Sequence, residues 1–175
     1  MMMKAGLLAS LPFSTAIESF ANSANNTFLD IFLKEEDLQF IAVISETLIP
    51  KTETIGAIEA GVPHFVDLYV KNCFTESRQK NYLELLRKYH DYLVGKSISL
   101  ATTNDALTKQ LIEDEISTTL EGRPFRDFIR QTKSMVVKGY FTNQKAVMQN
   151  LFYKAVPGEY QACIEIKTIG KAWTN

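Results

Sequence analysis

The sequence predicts an all-α protein, a compact bundle of about five to six helices with an extended, mostly irregular C-terminal tail. Three observations lead there. Apolar residues recur at intervals of three and four along most of the chain, no segment alternates apolar and polar as a half-buried strand does, and proline and glycine cut the periodic stretches at helix-like lengths.

Taken in order, residues 1–27 read as an export-signal remnant or a flexible tether, and 28–175 as a single helical domain. Lys4 precedes a short apolar segment from Ala5 to Phe13 that Pro12 bounds, and small-residue sites follow near Ser19-Phe20-Ala21. A signal peptide and a plain disordered start both fit. Residues 14–27 are rich in Ser, Asn, Ala and Thr and lack apolar periodicity. The first helix is expected over Glu35–Ile49, because Glu35, Glu36 and Asp37 complement the positive end of a helix and Leu38, Ile41, Ala42, Ser45, Leu48 and Ile49 form one apolar stripe. Pro50 ends it. Residues 51–62 form a connector, with a short turn at Ala57–Ala60 and backbone freedom at Gly56 and Gly61.

Pro63 suits the opening of a second helix whose buried side is Phe65, Val66, Tyr69, Val70 and Cys73, ending near Phe74. A third fits Ser77–Val94, with Tyr82, Leu85, Leu86, Tyr89 and Leu93 inward and Gly95 as a left-handed stop. Asn104 caps a fourth through about Leu120, with Leu107, Leu111 and Ile112 facing the core and Gly122 closing it. Pro124 opens a fifth, carrying Phe125, Phe128, Ile129, Thr132, Met135 and Val136 and breaking at Gly139. A short sixth helix covers Gln144–Phe152, and the rest reads as tail.

Composition narrows the function classes. With 19 Lys+Arg against 20 Asp+Glu the formal net charge is -1, so no global field holds a nucleic-acid backbone or an anionic membrane. Arg123, Arg126 and Arg130 alternate with Glu121 and Asp127 and read as a solvated helix face. No stretch reaches the roughly 18 to 20 apolar residues of a membrane-spanning helix. Cys73 and Cys163 lack metal-ligand spacing; they either pair, if the chain is exported, or remain buried free thiols.

Catalysis needs convergent reactive groups. His64 on a helix with Asp67 at i+3, or with Glu59, is one arrangement that could serve as a general base; a capping or surface histidine is the plainer reading. His90 reads as a partly exposed helix residue. No phosphate-binding glycine loop, Cys-x-x-Cys-His haem motif, metal cluster or Gly-x-Ser-x-Gly elbow occurs, so neither catalytic nor cofactor residues are assigned to this chain. Aromatic residues cluster late in the chain, at Tyr140, Phe141, Phe152, Tyr153, Tyr160 and Trp173, and could pack on the bundle itself or anchor a partner.

Two groups of residues carry a resemblance. Glu35-Glu36 opening a helix that ends Leu48-Ile49-Pro50, then Thr52-Glu53-Thr54-Ile55-Gly56-Ala57 and Ala60-Gly61-Val62-Pro63-His64-Phe65-Val66-Asp67, is similar to the signature of the gluconate 2-dehydrogenase subunit 3 family. Gly139-Tyr140-Phe141-Thr142, Tyr153, Val156-Pro157-Gly158-Glu159-Tyr160-Gln161-Ala162-Cys163 and Gly170-Lys171-Ala172-Trp173 resemble that family's C-terminal pattern. The resemblance spans residues 30–174. Ile55 stands where the family usually has proline, Asn143 where serine is common and Ala162 where glycine is common.

The resemblance implies a non-catalytic small subunit, an escort that stabilises a periplasmic dehydrogenase of the GMC type acting on sugars or sugar acids. FAD would reside in the catalytic partner and haem c in a cytochrome subunit, with membrane association through the complex. Family members often carry a twin-arginine export signal; here no such pair precedes the apolar segment, and export is an inference from the family. The expected partner interface is Tyr140, Phe141, Tyr153, Pro157, Tyr160 and Trp173, together with a connector motif of Pro50, Thr52, Gly56, Ala57 and Pro63. The competing reading is a stand-alone helical enzyme or ligand-binding protein using His64 with Glu59 or Asp67.

Overall fold

Helix α1 (Glu35–Leu48) is buried on every side from Phe40 to Ser45, wider than the single stripe its spacing predicts. Phe40, Val43 and Ile44 join Ile41, Ala42 and Ser45 in the interior, so α1 is the central helix. The structure, a computed structural model, describes residues 32–101, 103–153, 158, 163, 165, 167 and 170–174. The expected tether over 1–27 lies outside the described residues. Around α1 stand α2 (Val62–Cys73), α3 (Glu76–Gly95), α4 (Asp105–Ile116), α5 (Arg123–Thr142) and α6 (Gln144–Asn150), so six helices pack together among the described residues and the all-α expectation stands.

Aromatic and branched side chains fill the space between these helices. Tyr82, Tyr89, Phe128, Ile41, Ile44 and Leu86 are among the fully buried side chains, and each apolar one contributes about 1.5–3 kcal/mol of transfer free energy. Rings of Phe74, Tyr82, Phe128 and Tyr89 meet in sequence at centroid distances of 5.9, 5.3 and 5.7 Å, linking α2's end to α3 and α5. Polar pins fix the helix register. Arg87 grips Asp37 with both ends of its guanidinium at 3.2 and 2.8 Å, tying α3 to α1. Asp114 on α4 accepts from the hydroxyls of Tyr89 and Tyr92 on α3 at 2.9 and 3.3 Å. Lys133 on α5 pairs with Glu115 on α4 at 2.8 Å.

Several helix ends differ from the sequence expectation, each for a local reason. Helix α3 runs through Gly95, and the left-handed residue is Ser97 at φ 58. There the Ile98 N–H reaches the Leu93 carbonyl at 3.1 Å and the Ser97 N–H the Val94 carbonyl at 2.8 Å, the paired bonds that close a helix through a left-handed residue. Helix α4 is capped by the Asn104 side chain as expected, at 2.8 Å from the Leu107 N–H, but stops at Ile116 instead of Leu120. The hydroxyls of Ser117 and Thr119 bond one another at 3.1 Å, and Thr119 also accepts from the Gly122 N–H, so local side-chain bonds replace further helical turns. Gly122 is in right-handed geometry and precedes α5 rather than closing α4. Ile112, expected inward, is 55% exposed.

Helix α5 does not break at Gly139. It continues to Thr142, because Gly139 faces α2 and the ring of Phe65 occupies the space a side chain would take: a Cβ there would lie 2.6 Å from Phe65 Cδ1. The glycine serves close helix packing. Cys73, expected on the buried side of α2, is exposed, and Cys73 and Cys163 are both free thiols. The expected sixth helix ends at Asn150, and Leu151–Tyr153 form strand β1, paired in parallel with β2 (Ala172–Thr174) in the register Leu151↔Ala172, Phe152↔Trp173 and Tyr153↔Thr174. This short ladder lies within the stretch expected to be extended and mostly irregular.

Candidate functional site

The connector between α1 and α2 is where the two halves of the sequence pattern meet. Pro50 stops α1 and residues 50–53 face solvent, while Ile55, Gly56, Ala57 and Ala60 are buried. Its backbone polar groups must find partners once buried. Within the connector the Ala57 N–H donates to the Ile49 carbonyl at 3.0 Å, and the Ala60 N–H to the Gly56 carbonyl at 3.0 Å, forming the expected turn. Gly61, at φ 74, leads into α2, whose first turn holds Pro63.

Glu46 clasps the loop from the α1 side. Its carboxylate accepts from the Lys51 N–H at 3.0 Å and the Ile58 N–H at 2.9 Å, so one side chain satisfies amides on both flanks of the connector. Gly56 lies beneath this clasp. A Cβ at Gly56 would sit 2.2 Å from Glu46 Oε1, so any side chain there would push the carboxylate out of its clasp, whereas the sequence reading of this glycine rested on backbone angle. On the exposed lip, Lys51 pairs with Glu59 at 2.8 Å, and that hydrogen bond and charge hold the Lys51 ammonium above its ordinary pKa.

From the other side, α5 and α6 reach over. The Tyr140 hydroxyl, in a residue only 3% exposed, donates to the Ile55 carbonyl at 2.8 Å and accepts from Asn150 Nδ2 at 3.0 Å. Asn143 caps α6 through its oxygen, 3.1 Å from the Ala146 N–H, and spends its amide on the Ala60 carbonyl at 3.1 Å. Gln149 Oε1 accepts from the Ile55 N–H at 3.0 Å. Two of the departures from the family pattern therefore fall in this joint. Ile55 supplies an N–H that proline lacks, and Asn143 supplies an amide donor that serine lacks, each used for one bond between the connector and the C-terminal helices.

The interface residues expected from sequence separate here into four groups. Tyr140 is turned inward, a correction to its reading as a surface anchor: its ring and hydroxyl are needed to hold the connector. Phe141 remains 42% exposed, with its ring edge-on to Tyr140 at 5.3 Å. Tyr153 and Trp173 are placed by their backbones in the paired strands, and Pro157 and Tyr160 lie outside the described residues. Of the connector motif, Pro50 and Thr52 are exposed, whereas Gly56, Ala57 and Pro63 are buried. Sequence reasoning missed Glu46, Gln149 and Asn150; polar helix residues give no periodic signal when their partners lie in a loop or on another helix. Asn143 was noticed only as a departure.

His64 does not assemble with either of its proposed partners. The Asp67 carboxylate is fully buried and accepts from the Phe32 N–H at 3.1 Å and the Leu33 N–H at 2.6 Å, anchoring the chain that enters α1. Glu59 is committed to Lys51, and His64 Nε2 is buried without a hydrogen-bond partner. His90 is a surface residue 3.2 Å from Asp91, with Phe40 packed edge-on at 5.1 Å. Among the described residues, no three His, Cys, Asp or Glu side chains gather as a metal site would require, and no helix is long and apolar enough to cross a membrane.

The sequence model of one known family, described as Gluconate 2-dehydrogenase subunit 3, matches residues 35–158, from the first residue of α1 past β1. No curated protein and no solved structure matches the chain.

Proposed function

The chain belongs to the gluconate 2-dehydrogenase subunit 3 family, a small subunit of dehydrogenase complexes, and from that premise we propose that it is a non-catalytic escort of a separate FAD-bearing subunit. The observation that carries the reading is the joint itself: the residues shared with the family pattern, Gly56, Ala57, Gly139 and Tyr140, are buried and spent on packing and on holding the connector in place. In this reading FAD and the reaction on a sugar or sugar acid belong to a catalytic subunit of the GMC type. Electrons leave through a cytochrome subunit carrying haem c. The complex works in the periplasm, reached by export of this chain with its folded partner, and meets the membrane through the assembly.

The physical mechanism of an escort is linkage. A subunit that binds the native flavoprotein and not its unfolded chain stabilises it by about 2.7 kcal/mol when present at 100 times its dissociation constant. Nothing in that mechanism needs a reactive group on the escort. Affinity purification of the tagged chain from native extract tests the assignment: it co-elutes with a protein showing flavin absorbance and dehydrogenase activity. Turnover of a sugar acid by the purified chain alone would overturn it.

A further inference from the structure

The C-terminal elements rest on the bundle with little of their surface buried. From Gln144 to Phe152 only Ala146 is buried, whereas α5 just before them buries a whole face from Phe128 to Tyr140. What joins α6 to the connector and α5 is mainly polar: Gln149 Oε1 accepts from the Ile55 N–H and Asn150 Nδ2 donates to the Tyr140 hydroxyl, each at 3.0 Å. Helix α6 has 7 residues and each strand 3, short of what a helix or a two-stranded ladder sustains by itself. These pieces support one another instead. The Leu151 N–H closes α6 on the Val147 carbonyl, β1 pairs with β2, and Lys171 Nζ, just ahead of β2, donates to the Gln149 carbonyl. A single residue, Asn143, separates α5 from α6, in extended backbone at φ -78 and ψ 125. Its amide is fixed to the Ala60 carbonyl and its oxygen caps α6, so the point between the two helices is itself anchored.

We propose that α6 and the β1–β2 ladder form a latch that swings about Asn143 as one unit and closes on the connector, while α1 to α5 stay folded. A unit that buries one methyl group and two polar bonds exposes little apolar surface when it leaves, so it opens far more often than the bundle unfolds. Closed, the latch holds the Ile55 amide through Gln149. Open, it leaves Ile55 only the Tyr140 hydroxyl on its carbonyl, and the connector gains freedom about that point. Gln149 links the two ends, because its main chain meets Lys171 and its side chain meets Ile55. Order in the ladder and order in the connector are therefore coupled, and whatever favours one favours the other by the same factor. This latch is independent of the escort reading.

Native-state hydrogen exchange of the full chain, followed residue by residue in rising but sub-denaturing urea, tests it. The amides of Ile55, Val147, Leu151 and the two strands are expected to share one opening. That opening should be at least about tenfold more frequent than the one that exposes Ile41, Leu86 and Val136, with a smaller urea dependence. Gln149→Ala removes an exposed side chain, and circular dichroism checks that the variant is folded. It is expected to raise the shared opening about fivefold to tenfold, at Leu151 and the strands as well as at Ile55, and to leave Leu86 and the melting midpoint unchanged. Lys171→Met is expected to speed exchange at Ile55, although Lys171 reaches the connector only through Gln149. Exchange of the latch amides at the rate and urea dependence of Leu86 would make the chain one cooperative unit and overturn the proposal. An effect of Gln149→Ala confined to Ile55, or of Lys171→Met confined to the strands, would overturn it as well, since the pieces would then fray separately.

Discussion

The Tyr140 hydroxyl donates to the Ile55 carbonyl across 85 positions of sequence, at 2.8 Å and out of contact with solvent. This single bond ties the connector, from the first half of the family pattern, to α5, from the second. Replacing Tyr140 with Phe leaves a buried carbonyl and the Asn150 amide short of a partner, which costs about 1–3 kcal/mol. Urea unfolding reads the loss as a lower midpoint at unchanged slope. An unchanged midpoint would mean that the connector is not held by this bond.

Gly139 tests the packing between α2 and α5. Alanine gains up to about 1 kcal/mol of helix propensity over glycine, but here its methyl collides with Phe65 at both Cδ1 and Cγ. Gly139→Ala is expected to destabilise by about 1–3 kcal/mol, and Phe65→Ala in the same chain to make that methyl tolerable. A double-mutant cycle measures the coupling, and additive effects would contradict the contact.

The end of α3 supports two substitutions of the same sign and opposite chemistry. Ser97 occupies the left-handed region that glycine adopts without strain, so Ser97→Gly stabilises by about 0.5–1 kcal/mol. Gly95 is helical with open space around it, so Gly95→Ala also stabilises, by up to about 1 kcal/mol. Thermal melting of the two variants and their combination checks both. A destabilised Gly95→Ala would restore Gly95 as the left-handed stop.

How much was legible in the sequence follows from these cases. The helices were, because their apolar spacing and their caps, such as Asn104 for α4 and Pro63 for α2, are local signals. Gly139 and Gly95 were misread because a glycine's letter does not say whether it is chosen for angle, for space or for neither; only the neighbour across the interface decides. The α1 stripe was read too narrowly, since Phe40, Val43 and Ile44 are buried by helices that periodicity cannot place. Within the candidate joint, the motif residues stood out by resemblance, whereas Glu46 and Gln149 act through bonds to connector amides and Asn150 through the Tyr140 hydroxyl, and these left no pattern to find.

Alkaline pH is expected to unfold the protein. Burial raises the Tyr82 phenol well above its ordinary value, with the Thr132 hydrogen bond opposing, and burial followed by the Asp114 carboxylate raises Tyr89 further. A folded-state pKa above the unfolded one favours the folded chain fully below about pH 10, and that contribution is lost as pH rises beyond it. Ultraviolet titration should show these two of the 7 tyrosines ionising only as the circular dichroism collapses. Free titration of all 7 in a folded chain would contradict their burial.

The most direct test of the escort mechanism is the melting temperature of the flavin-bearing subunit, followed by release of its flavin fluorescence, as this chain is titrated in. A midpoint that climbs with the logarithm of the added chain, once its concentration exceeds the dissociation constant, is the predicted result. A midpoint indifferent to the chain at every concentration would contradict the account.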